Sequence, residues 1–185
     1  MSIRKVVVVL SLVIASAVLQ ADSLKIEKYD VNPGNIFKHF GTQLDKDIEV
    51  DKDGKITRKG LLTDGILAYA PSVGICYVFW RVTDEESFVR FQLKLAGPSN
   101  IEKVVVYGEN LSDIYAVTKA IVESANDEIS AEKIGEFIVK DKVPQAWSLE
   151  IPCNNKEGQT LNVTVWTKGS SYLNVTEIQV YGKAK

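Results

Sequence analysis

Short runs of alternating apolar and polar residues recur along this chain, with turn residues between them. Within the segment Ser87 to Leu95, the apolar residues Val89, Phe91, Leu93 and Leu95 alternate with the polar residues Arg90, Gln92 and Lys94. A period of two is typical of a β-strand with one face in a core and the other in solvent. Two later segments repeat this pattern, at Trp147, Leu149 and Ile151 and at Leu161, Val163 and Val165.

The remaining apolar segments extend this prediction to the rest of the chain. We predict strands near residues 24–29, 75–82, 87–95, 101–107, 116–125, 147–151, 161–165 and 172–181, and a hairpin at 47–57. Residues 116–125 fit a strand or a short helix, and their β-branched side chains favour the strand. We expect a turn of the chain at Gly97–Asn100 and one helical turn at residues 130–136. Many short strands without a long amphipathic helix predict an all-β, single-domain antiparallel β-sandwich.

The C-terminal segment carries a more specific signal. By strict alternation, Leu173 and Val175 face one side of the last strand, whereas Ile178 and Val180 face the other. Both pairs enter one core only if the strand slips by one residue, as it does at a β-bulge. We therefore predict a bulge near Thr176 and Glu177.

The amino-terminal residues predict export. A basic head containing Arg4 and Lys5 precedes an apolar run from Val6 to Leu19, and a small residue follows at Ala21. This order is typical of a secretory signal peptide, and the run is short for a membrane span, which needs roughly 20 residues. We expect a signal peptide at residues 1–21, an N-terminal strand and loop at 22–44, the sandwich domain at 45–185, and a secreted or periplasmic location without a membrane span.

Charge and reactive residues exclude several functions. The formal net charge is −2, and loss of the basic head makes it more negative, so a nucleic-acid partner is not expected. The single histidine, His39, and the two cysteines, Cys76 and Cys153, form no zinc-binding spacing and no nucleophile motif. The cysteines fit either a disulfide or two unpaired core residues. We therefore predict that the protein is not an enzyme.

Four segments together resemble the discoidin, or galactose-binding-like, β-sandwich, a jelly-roll fold of many secreted sugar-binding modules. They are Thr63-Asp-Gly65, Phe88-Val-Arg-Phe-Gln-Leu93, Ile101-Glu-Lys-Val-Val-Val-Tyr107 and Glu177-Ile-Gln-Val-Tyr-Gly182. The match covers roughly residues 45–182. The chain departs from the sugar-binding pattern after the Asp-Gly turn, where Tyr69 stands in place of the usual tryptophan.

The resemblance implies a structural calcium ion at Asp64 and Glu177. Calcium takes about six to eight oxygen ligands from carboxylates and loop carbonyls, and an Asp-Gly turn together with a bulged strand supplies both. In the alternative interpretation, Asp64 caps its own turn and Glu177 pairs with a surface lysine.

Four residues are the candidates for ligand binding. Trp166 is turned outward by the alternation of its strand, and Lys168 and Tyr172 follow it across a short loop. Tyr69 is the fourth. Aromatic rings stack on the apolar faces of sugars while polar neighbours bind the hydroxyls. In the alternative interpretation, Trp166 packs beneath a loop.

The expected function is that of a secreted, non-catalytic carbohydrate-binding module with a glycan as partner. The alternative is a cell-surface adhesion or structural module that binds a protein, since fold does not dictate function. An exposed apolar patch at residues 66–73 would favour the alternative.

Overall fold

The computed structural model describes residues 21–32, 48–50, 56–58, 61–63, 87–109, 116–125, 130–141, 143–144, 146–168 and 175–185. Within these ranges the chain forms strands that pair only in antiparallel fashion, together with one short 3-10 helix at Leu61–Thr63. The strands are β1 (Asp22–Ser23), β2 (Ile26–Asn32), β3 (Ile48–Val50), β4 (Ile56–Arg58), β5 (Ser87–Glu109), β6 (Ala116–Ala125), β7 (Ala131–Ile138), β8 (Ala146–Lys168) and β9 (Val175–Ala184).

Two long strands, β5 and β8, organise the fold. They pair with each other along both halves, β2 joins the first half of β5, and β9 joins its second half. The hydrogen-bonding order is β3-β4-β2-β5-β8-β6-β7, with β9 also beside β5 and β1 beside β9. Side chains from both halves of β5 and β8 enter one buried cluster. The two halves are therefore the facing layers of an antiparallel β-sandwich, which confirms the predicted fold class.

The chain bends between the layers at the predicted turn, Gly97–Asn100, but β5 continues through the bend instead of ending there. The β5–β8 register shifts between Lys94 and Ser99, and the strand continues in the same sense. Pro98 lacks an N–H group, and such a residue fits an unpaired bulge as well as a turn. A second shift places two extra residues in β8, and these are Asn154 and Asn155, with φ of 54° and 57°. Asparagine tolerates this left-handed conformation better than most residues.

The core contains the side chains that alternation predicted. All four predicted inward positions of β5 and all six of β8 are buried: Val89, Phe91, Leu93, Leu95, Trp147, Leu149, Ile151, Leu161, Val163 and Val165. Full burial of one such side chain contributes roughly 1.5–3 kcal/mol to folding. The alternating pattern therefore stabilises the sandwich as well as predicting its strands.

The closing strand β9 has the predicted bulge. Glu177 pairs with Tyr107 and Val175 pairs with Gly108, so Thr176 is the extra residue. As a result Val175 enters the same core as Ile178 and Val180. Further along β9, a Cβ atom at position 182 would overlap the backbone carbonyl of Asn100, so this close approach of strands requires Gly182.

The strand prediction for residues 116–125 is confirmed by β6, and the pairing of β3 with β4 confirms the hairpin. The helical turn predicted at residues 130–136 is wrong, because β7 begins at Ala131, runs through the rest of this segment and pairs with β6. Gly135 of β7 lies against Ile151 and Cys153, a long-range contact that local propensity does not reveal. The strand predicted at 75–82 lies outside the described residues.

Candidate functional site

Trp166 lies on the outward face of β8, as alternation predicted. Its neighbour Val165 is buried in the core, whereas Trp166 itself is partly exposed. Phe88 of β5 and Lys119 of β6 are its direct cross-strand partners. The Phe88 and Trp166 ring centroids are 6.0 Å apart with the planes inclined by 41°, and Lys119 Nζ lies 4.8 Å from the indole centroid.

Ile138 of β7 extends this arrangement by one strand. It pairs with Lys119, and 58% of its surface is exposed, which makes it the one large hydrophobic residue so exposed among those described. Phe88, Trp166, Lys119 and Ile138 thus form a row across four neighbouring strands, named the outer row below. Strands lie about 4.8 Å apart, so the row is about 14 Å long.

A band of polar groups borders the outer row. Arg90 Nε donates a hydrogen bond to Thr164 Oγ1 at 3.1 Å, and Gln92 Nε2 donates to Asn162 Oδ1 at 3.3 Å. The Arg90 guanidinium lies 3.9 Å from Glu123 Oε2. This ion pair is partly exposed, so it contributes little to stability, typically about 0–1 kcal/mol. Arg90, Gln92 and Glu123 are at least partly exposed beside the outer row, whereas Thr164 and Asn162 are buried.

The other candidate ligand residues are only partly located. Lys168 lies at the end of β8, two residues beyond Trp166, where its backbone pairs with Ala116. The Lys168 side chain is not among the described parts of the structure. Tyr172 and Tyr69 lie outside the described residues. The sequence analysis missed Phe88, Lys119 and Ile138. Alternation in β5 indicates an outward Phe88. The positions of Lys119 and Ile138 in the row depend on the register of β6 and β7, which the sequence alone does not reveal.

Glu177 is a buried carboxylate on β9, only 1% exposed. It lines a cavity of about 370 Å³ together with Thr63, Ser23 and Gln179. Thr63 ends the 3-10 helix and directly precedes Asp64, which lies outside the described residues. The described ranges contain no group of three or more histidine, cysteine or acidic residues placed to hold a metal. Glu177, Thr63 and Ser23 nevertheless offer the oxygen donors that calcium prefers.

Cys153 is a free thiol in the core. Its S–H donates to the carbonyl oxygen of Ile151 at 3.5 Å, and burial raises its pKa to about 12. A thiol with this pKa is protonated at neutral pH and is a poor nucleophile. The structure therefore agrees with the interpretation in which Cys153 is an unpaired core residue. Cys76 and His39 lie outside the described residues.

Solved structures show which known fold this arrangement matches, although the sequence matches no protein-family model and no curated protein sequence. The C-terminal domain of a chitobiase from Bacteroides fragilis matches with a TM-score of 0.50 and 14% identity, over 89% of this chain and 99% of that one. A structure of the CBM32-1 and CBM32-2 domains of ZmpB from Clostridium perfringens matches with a TM-score of 0.52 and 11% identity, over 87% of this chain and 37% of that one.

This chain has the galactose-binding-like, discoidin-type β-sandwich fold. At such low identities the likeness shows the fold and leaves the ligand to be argued from the site. A Ruminococcus gnavus GH29 fucosidase in complex with fucose also matches, with a TM-score of 0.42 and 13% identity over 58% of this chain. This chain covers 20% of the fucosidase chain. Within the described residues, no helix has the length and apolar character needed to cross a membrane.

Proposed function

We propose that this protein is a secreted, non-catalytic carbohydrate-binding module whose ligand lies on the outer row. The observation that carries the proposal is the partly exposed Trp166 on the outward face of β8, beside Phe88 and Lys119. Neither Phe88 nor Trp166 belongs to the buried core cluster, so the pair is not required to fill the interior. Paired aromatic rings with a neighbouring hydrogen-bond donor suit a sugar ring, which has an apolar face and a polar rim.

The polar band supports binding rather than catalysis. Glycoside hydrolysis requires two carboxyl groups on opposite sides of the scissile bond. Two described acidic residues beside the outer row are instead engaged with cations, Glu123 with Arg90 and Glu136 with Lys133. The oxygens of these two carboxylates can also accept hydrogen bonds from the hydroxyl groups of a ligand.

Protein binding is the competing function. The segment that would favour it, residues 66–73, lies outside the described residues. On the described surface, Ile138 is the single strongly exposed large hydrophobic side chain, and it adjoins the outer row. One apolar residue next to aromatic and polar groups fits a glycan better than a broad protein interface, whose centre is typically apolar and fully desolvated.

The proposal includes export and a structural calcium ion. Export is supported by the amino-terminal sequence, and β1 begins at Asp22, the residue after the predicted cleavage position. The calcium would be held by Glu177 and Asp64, with Thr63 and Ser23 beside them. Such an ion would tie the segment after the 3-10 helix to the closing strand.

A glycan array probed with the protein from Asp22 to Lys185 tests the function. We expect retention on a restricted set of glycans, lost when Trp166 is replaced by alanine. Retention of no glycan by a protein whose circular dichroism shows the β-sheet fold would reject sugar binding, and specific capture of a purified cell-surface protein would favour the competing function.

A further inference from the structure

The outer row is longer than a single sugar. It crosses four strands, from Phe88 on β5 to Ile138 on β7, over about 14 Å. A pyranose ring is comparable in width to the aromatic ring on which it stacks, so one sugar covers about one strand position. A monosaccharide on Trp166 would therefore leave Ile138 uncovered.

The residues of the row offer successive contacts that suit successive sugars. Phe88 and Trp166 offer ring surface, Lys119 offers an ammonium donor on an apolar stem, and Ile138 offers an exposed apolar surface. The Lys119 ammonium lies over the Trp166 ring in the absence of a ligand, and its flexible stem allows it to move toward ligand hydroxyls. The row thus supplies an apolar contact at each end and a hydrogen-bond donor between them.

Ile138 extends the row to the last strand in the hydrogen-bonding order of the described residues. With 58% of its surface exposed, its side chain can contact a ligand that continues along the row from Trp166 and Lys119. Contacts spread over several neighbouring strands suit a ligand that lies along the row with successive units.

The charges beside the row favour a neutral chain. Arg90 and Glu123 form one ion pair and Lys133 and Glu136 form another, so these four charges are balanced, while the Lys119 ammonium within the row lies over the Trp166 ring. A ligand anion that paired with Arg90 or Lys133 would displace the glutamate that the cation now binds and would leave that glutamate without a partner. A neutral, hydroxyl-rich polymer meets these groups with hydrogen bonds and leaves the pairs intact.

We infer that the ligand is a neutral glycan chain of at least three sugar units, bound along its length, with Ile138 as the contact for the outermost unit. This inference rests on the proposed function and adds a length requirement to it. It makes Ile138 a specificity-determining residue for long ligands only.

The test starts from polymers. Wild-type protein is run in affinity gels that contain galactan, xylan, mannan, mixed-linkage β-glucan or glycol chitin. The polymer that retards it most is then cut into oligosaccharides of one to five units for isothermal titration. Ile138→Ser removes the apolar contact, and Glu132→Ser is the matched control, since Glu132 lies on the same strand and pairs with Lys156 away from the outer row.

We expect the wild-type affinity to rise at least about tenfold from one unit to three and then to level off. Ile138→Ser should lower the affinity for three or more units about threefold to tenfold, as for loss of a partly buried apolar side chain, and leave the affinity for one unit unchanged. Glu132→Ser should match the wild type at every length.

The outcomes separate this inference from the proposed function. Equal affinity for one and three units, or an Ile138→Ser variant with the wild-type length dependence, overturns the length requirement while sugar binding stands. If none of the polymers retards the protein, the length requirement is overturned. The glycan array then decides whether the protein binds sugars at all. The melting temperature of Ile138→Ser should equal that of the wild type, because the side chain is exposed.

Discussion

Lys119 and Trp166 are direct cross-strand partners on β6 and β8, with the Lys119 ammonium 4.8 Å from the centre of the indole ring. Such a cation–π contact contributes about 0.5–1 kcal/mol at an exposed site. The contact restrains the indole, and the ammonium covers part of the ring surface. A sugar that stacks on that surface must displace the ammonium toward the ligand hydroxyls, where it can donate hydrogen bonds.

Gly182 is predicted to be essential for docking the closing strand. A methyl group there would overlap the carbonyl of Asn100 on β5, so Gly182→Ala must push the two strands apart. Overpacking of this kind costs about 1–3 kcal/mol or more. The expected result in urea unfolding is a lower midpoint with an unchanged slope.

Gly97→Ala is the control for that variant. A Cβ at position 97 meets no atom within 4 Å, so we expect its free energy of unfolding to stay within about 1 kcal/mol of the wild type. Equal stability of the two alanine variants would contradict the close approach at Gly182.

Cys153 should make stability depend on alkaline pH. Burial raises the pKa of its thiol from 9.0 to about 12, so the folded protein holds the proton more tightly than the unfolded chain does. The resulting stability is fully present below pH 9 and is lost as the pH rises from 9 toward 12. The loss is at most roughly 1.4 kcal/mol per pH unit in that window.

The measurement is urea unfolding at pH 8, 9 and 10 for the wild type and Cys153→Ala. Cys153→Ala also leaves a small cavity, so the comparison is between the slopes with pH and not between the absolute stabilities. A shallower slope in the variant is expected. In the folded wild type, Cys153 should also resist a thiol reagent at pH 8, and rapid labelling without unfolding would contradict its burial.

The sequence predicted most of the fold because its signals were local. The bulge at Thr176 followed from the phases of Val175, Ile178 and Val180 alone, and the inward residues of β5 followed from alternation. Gly97 and Pro98 carried an ambiguous signal, since these residues suit a bend in a continuing strand as well as a reversal. β7 was missed because its burial comes from β6 and from Ile151 and Cys153, far away in sequence.

The candidate site was less predictable than the fold. Alternation turned Trp166 outward, but its contacts with Phe88 and Lys119 depend on strand register, which links residues far apart along the chain. Ile138 belonged to the segment whose strand was not predicted at all. The carboxylate Glu177 was predicted at the bulge, and its complete burial emerged only from the packing around β9.

Calcium is predicted to stabilise the fold without touching the outer row. Chelation should lower the melting temperature, because a ligand that binds only the native state adds RT ln(1 + [L]/Kd) to its stability. Asp64→Ala and Glu177→Gln should each abolish this response, and Glu150→Gln, which changes an exposed carboxylate paired with Lys103, should retain it. Identical melting of the wild type in calcium and in chelator would reject the ion.

The most direct test of the account is the affinity of Trp166→Ala for the glycan that the wild type binds most tightly on the array. Tyr181→Ala is the matched control, because it removes a partly exposed aromatic ring from β9 in the other layer. With both variants folded, titration calorimetry should give a dissociation constant at least about tenfold higher for Trp166→Ala, a loss of about 1.4 kcal/mol, and the wild-type value for Tyr181→Ala. Wild-type affinity in Trp166→Ala, or an equal loss in both variants, would contradict binding on the outer row.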